Sequence, residues 1–131
     1  MEPFETVILT LNEPNLNNRV YSTAVVQEAI DKHNASERGL FGGNIDDVAF
    51  PLSDISKLSH RITNLRIDGN AVYGTITPAY LRNWQKIEPM VVAGVGGFRI
   101  SCTCDIAKRD DGMVEISNMT ICSVDYCNNP A

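Results

Sequence analysis

Residues 98–106 alternate without a break, with Phe98, Ile100, Cys102, Cys104 and Ile106 on one side and Arg99, Ser101, Thr103 and Asp105 on the other. A period of two is that of a pleated strand with one buried face. It rules out a helix here and predicts an apolar side against a core and a wet side that carries Ser101. The turn-forming run Lys108-Arg109-Asp110-Asp111-Gly112 follows. Residues 114–126 return as the partner strand, and the change of parity in their apolar positions near Ser117 and Asn118 predicts a β-bulge. A second hairpin is predicted from residues 58–67 and 71–77, joined by Asp68-Gly69-Asn70, because Gly and Asn accept the positive φ of a tight turn.

Around these hairpins, the β-branched run Thr6-Val7-Ile8-Leu9-Thr10-Leu11 reads as a buried strand. Ser22 or Thr23 can cap a first helix carrying Val25, Val26, Ala29, Ile30 and His33 at helical spacing. His33 falls at the helix end, where a cation suits the carbonyl dipole, so its role is structural. Pro78 is read as opening a second helix, with Leu81, Trp84 and Ile87 on one side, and Pro89 as stopping it. Residues 39–54 lack periodicity and form a long loop, a feature that in a small domain usually has a function. Separated hairpins without β-α-β alternation predict an α+β fold. The expected architecture is a mainly antiparallel sheet or partly closed β-barrel of five or six strands with two helices, in one domain over residues 1–131.

Composition narrows the function. With 131 residues the chain can bury a core without metal or disulfide staples. A net charge of −5 argues against nucleic acid as a partner, since such binding rests on clustered cations. The longest apolar stretch, residues 90–97, is far short of the roughly 20 residues of a membrane helix. The acidic start Met1-Glu2-Pro3-Phe4-Glu5 is unlike a secretory signal, so synthesis in a reducing cytoplasm is expected. Cys102 and Cys104 followed by Cys122 and Cys127 do not have the paired spacing of a zinc site. The first two read as small inward hydrophobes, and spacing leaves a disulfide involving Cys122 or Cys127 open. No metal or cofactor is expected.

Several stretches in the same order resemble the prohead (head maturation) protease family of contractile-tailed bacteriophages, serine endopeptidases of the herpesvirus-assemblin type. Asn17-Asn18-Arg19-Val20-Tyr21 before the first helix is similar to the family's N-x-R-x-Y lead-in. Ser59-His60-Arg61-Ile62 through Val72-Tyr73-Gly74 is similar to its S-H-R-I to v-Y-G hairpin. Thr77-Pro78, the second helix and the glycine bend also match, as does Ser123-Val124-Asp125 with Asn129-Pro130-Ala131. The family carries its catalytic His in a G-E-x-x-H-P segment, where this chain has Gly42-Gly43-Asn44-Ile45-Asp46-Asp47 without Glu, His or Pro. Its nucleophile motif, G-x-S-S-R-G, corresponds to Arg99-Ile100-Ser101-Cys102-Thr103-Cys104, which keeps a Ser and loses the adjoining Arg and Gly.

A serine hydroxyl is a poor nucleophile until a base near pKa 7 takes its proton, and imidazole is the side chain suited to that. Asp46 stands where the resemblance expects the base, but a carboxylate of reference pKa about 3.9 accepts protons weakly. His60 alternates with Leu58 and Ile62 and is read as facing inward, while Asp125 is read as holding a turn with Asn128 and Asn129. The resemblance therefore implies a catalytically inactive protease fold with no catalytic residue, serving as a capsid decoration, cement or vertex component. It would be made in the bacterial host cytoplasm, reside in the virion, and bind capsid or other virion proteins, with self-association into a homo-oligomer open. The alternative is an active maturation endopeptidase using Ser101, His60 and Asp125.

Overall fold

The computed structural model describes residues 1–15, 17–44 and 55–128. In order these form strand β1 (Phe4–Thr10), β2 (Arg19–Val20), helix α1 (Thr23–Ala35), β3 (Leu40–Gly43), a single 3-10 turn (Ile55–Lys57), β4 (Leu58–Asp68), β5 (Ala71–Pro78), helix α2 (Leu81–Val92), β6 (Gly97–Lys108) and β7 (Val114–Cys127). They build two open sheets, with strand orders β1-β5-β4-β3 and β2-β7-β6. All pairs are antiparallel except β2 with β7. A bridge from Asn44 to Tyr126 links the end of β3 to β7 and so joins the two sheets.

The α+β class and both hairpins stand as read, with seven strands among the described residues instead of five or six, and with open sheets instead of a barrel. β2 is two residues long, too short for any periodicity to announce it. β3 lies inside the stretch read as loop, because its glycines have low intrinsic strand preference. Gly42 is nonetheless required by packing. A Cβ there would sit 1.7 Å from the carbonyl oxygen of Val124 and 2.7 Å from His60 Nε2.

Ser22 caps α1, its side chain accepting from the Val25 amide, and Val26, Ala29 and Ile30 face the core. Pro78 ends β5 instead of opening α2, which starts after Tyr80 in a left-handed conformation. Pro89 does not stop the helix. Its fixed φ is itself helical and its carbonyl still accepts from the Ala93 amide. Trp84 and Ile87 are buried as expected, whereas Leu81, at the first position of the helix, is 67% exposed. No helix of the described residues is long and apolar enough to cross a membrane.

The β6–β7 register slips where Asn118 takes a positive φ, as the parity change predicted, and slips again where Cys122 is the extra residue between the pairs Ser101↔Ser123 and Cys102↔Ile121. The outer end of the hairpin passes beyond the core, leaving Ile106 62% exposed despite its place on the apolar side. At the inner end an aromatic cluster holds the sheets together. Trp84 stacks on Phe98 at 6.4 Å, and Phe98 meets Tyr126 and His60 edge-on at 5.6 and 5.0 Å. Each such buried ring contributes about 2 kcal/mol by area removed from water.

Candidate functional site

Ser101 is buried, so the wet face expected on β6 holds for Thr103 and Asp105, which are exposed, but not for Ser101. Opposite it across the ladder lies Ser123 and, two pairs on, Asp125 lies opposite Arg99, so the four side chains share one side of the hairpin. β3 covers that side. Asp125, 2% exposed, receives three donors: Ser101 Oγ at 2.7 Å and Ser123 Oγ at 2.8 Å donate to Oδ2, and the Gly43 amide donates to Oδ1 at 3.1 Å. Asp125 therefore points inward into a polar junction between the sheets and does not hold a turn. It is the Tyr126 hydroxyl that donates to Asn128, and Asn129 lies outside the described residues. Asp125→Asn, which keeps the shape but forces the serine hydroxyls to accept from an amide, is expected to cost about 1–2 kcal/mol in urea unfolding.

His60 is fully buried, between Phe98 and Trp84. Its Nε2 lies 2.7 Å from the carbonyl oxygen of Val124, and its Nδ1 lies 2.7 Å from Ser59 Oγ. A carbonyl oxygen can only accept, so Nε2 carries the proton and donates, leaving Nδ1 to accept from the Ser59 hydroxyl. Burial lowers the pKa of His60 to about 4, against smaller opposing effects from the Val124 carbonyl and Asp125. The ring is neutral at pH 7 with both nitrogens engaged, and neither engages Ser101. Ser101 and Asp125 are thus brought together, and His60 is bonded elsewhere. Asp46 lies outside the described residues.

Ser101 also lines an open cleft of about 340 Å³, together with Arg19, Tyr21, Arg99 and Asn15. Asn15 Oδ1 accepts from the amides of Asn17 and Arg19, which shapes the loop that forms one wall. Burial, with the neighbouring Cys102 thiol, raises the Tyr21 pKa, partly offset by a hydrogen bond with Arg19. Burial pushes the Cys102 thiol up to about 12, so it is no thiolate nucleophile at neutral pH. Cys102 and Cys104 are half-buried and pack against the core, Cys122 is exposed, Cys127 is buried, and all four are free thiols. No group among the described residues could hold a metal ion. His33 sits in the last turn of α1, as expected.

Ser59, Ser123, Arg19 and Arg99 stand in the motifs read from the sequence, but no role at the site was assigned to them there. For Ser123 a signal was present: it and Asp125 are two polar residues at strand spacing inside an otherwise apolar run, opposite Ser101. What the hydroxyl–carboxylate pair can do is bounded by its chemistry. A carboxylate already holding three donors orients the Ser101 hydroxyl and is a feeble acceptor for its proton.

Two open, mostly antiparallel sheets with two helices, joined where the Gly43 amide meets Asp125 and where Asn44 bridges to Tyr126, make up a prohead-protease-like fold. The solved structure of the bacteriophage T4 capsid assembly protease, gp21, superposes on it with a TM-score of 0.79 at 19% sequence identity, covering 95% of this chain and 80% of that one. No protein-family model matches the chain, and no curated protein does.

Proposed function

We propose that this chain, as a single domain, is a bacteriophage head component that uses a prohead-protease-like fold to bind head proteins without cutting them, as a decoration, cement or vertex protein. The T4 capsid assembly protease that shares the fold supports the association with phage heads. The observation that carries the non-cutting reading is His60: its ring is neutral, buried and bonded through both nitrogens to Ser59 and Val124. Without a poised base, a serine hydroxyl transfers its proton too slowly for peptide hydrolysis, and loss of that base typically costs several orders of magnitude in rate. Binding needs only a complementary surface.

An active endopeptidase is the second reading, favoured by Ser101 lying on the cleft wall within 2.7 Å of Asp125. Incubation with the cognate scaffold and capsid proteins separates the two. The expected result is co-sedimentation with head particles and no fragments from either the native chain or Ser101→Ala. Specific fragments made by the native chain and lost in Ser101→Ala would replace the first reading by the second.

A further inference from the structure

The cleft is bounded by β1 through Ile8 and Leu9 and by β6 through Arg99, Ile100, Ser101 and Cys102. Successive side chains of a strand point to opposite faces, so a cavity that meets four consecutive residues of β6 lies against the strand's edge. The extra residue of the adjacent bulge belongs to β7, so β6 itself stays regular here. β6 ends the order β2-β7-β6 and β1 ends the order β1-β5-β4-β3, which leaves both facing edges without a strand partner among the described residues. Their backbone groups are available to an added strand.

The charge of the cleft points to what such a strand carries. Arg19 and Arg99 line it and no acidic residue does, in a chain of net charge −5. Neither arginine takes part in an ion pair among the described residues. The Nε of Arg99 is buried without a hydrogen-bond partner, so no protein acceptor holds the guanidinium at that atom. A guanidinium pairs best with a carboxylate, through two parallel bonds. About 340 Å³ has room for about two or three residues of such a strand.

We propose that the cleft between β1 and β6 captures the C-terminus of a partner polypeptide as an added strand on β6, its terminal carboxylate held by Arg99 and Arg19. The inference rests on the reading that the chain binds head proteins, and it identifies the part of the partner that is held. Calorimetric titration of the full chain with three acetylated valine–threonine tetrapeptides tests it. One ends in a free carboxylate, one in a C-terminal amide, and one is an amide with a glutamate in the third position. The free acid is expected to bind at least about tenfold more tightly than the plain amide, with Arg99→Gln and Arg19→Gln each removing most of that preference. Equal binding of acid and amide, a glutamate amide matching the free acid, or no binding of any peptide would overturn the proposal. The acid–amide comparison needs no variant, so a misfolded Arg99→Gln does not weaken it. Mass spectrometry of the recovered peptides reports separately whether the chain hydrolyses what it holds.

Discussion

Gly42→Ala is expected to abolish folding or to cost about 3 kcal/mol or more. The added carbon would lie 1.7 Å from the Val124 carbonyl oxygen, 2.6 Å from its carbonyl carbon and 2.7 Å from His60 Nε2. Two of those three atoms are backbone, in the middle of β7, and the third is locked by its hydrogen bond to the same carbonyl. No side chain can swing aside to make room, so β3 must leave β7. Its departure would also take the Gly43 amide from Asp125 and the Asn44 bridge from Tyr126. Gly74→Ala is the matched control, because the nearest atom to its new carbon is the side-chain methyl Ile62 Cγ2 at 3.0 Å, which has to give by only a few tenths of an ångström and involves no backbone. Urea unfolding of both variants beside the native chain decides the matter, and a native midpoint for Gly42→Ala would refute the close approach.

A second expected result is a loss of about 3 kcal/mol of stability on acidification, traceable to His60. Its folded pKa is about 4 and its ordinary value is 6.5, so between these values the unfolded chain binds a proton that the folded chain refuses. Stability therefore falls as pH falls, beginning near 6.5 and levelling off near 4, while above 6.5 the group contributes no pH dependence. Each pKa unit of separation is worth about 1.4 kcal/mol, which sets the size of the effect. His60→Gln lowers stability throughout, since glutamine cannot restore both bonds, but it removes this titration. The quantity to compare is the change in unfolding free energy between pH 7 and pH 4.5. A native chain as flat over that interval as His60→Gln would show that the imidazole is not buried neutral.

How far the sequence foretold these features depended on whether the neighbours of a residue were local. The two hairpins and α1 were legible because a turn, a cap and a repeat of apolar positions each lie within a few residues of one another. The bulge at Asn118 was legible for the same reason, being written as a parity change. Ser101 was misread because its surroundings come from elsewhere. Alternation on β6 alone gives a polar face, which holds at the exposed Thr103 and Asp105, and only β3, arriving from about sixty residues upstream, makes the Ser101 end of it a buried junction. β3 was itself hidden, since Gly42 and Gly43 read as loop until Val124 explains why nothing larger fits. The inward orientation of His60 followed from alternation with Leu58 and Ile62, but its two hydrogen-bond partners did not. The cationic cleft had no signature at all, because Arg19 and Arg99 are eighty residues apart and meet only across the loop that follows β1.

The position of β7 has a consequence for how the chain assembles during synthesis. This strand follows every other strand in the sequence, yet it lies between β2 and β6, bridges to the end of β3 and packs under α1. Until it has left the ribosome, β2 has no partner, His60 has no Val124 carbonyl, and the aromatic cluster lacks Tyr126. Hairpin β4–β5 can form early from local contacts, whereas closure of the whole must wait for the partners of β2, Val114 and Glu115, about 95 positions downstream of it, to be made. A nascent chain halted before Val114 would thus expose the unpaired edge of β6 and an open core, a species that chaperones and proteases recognise.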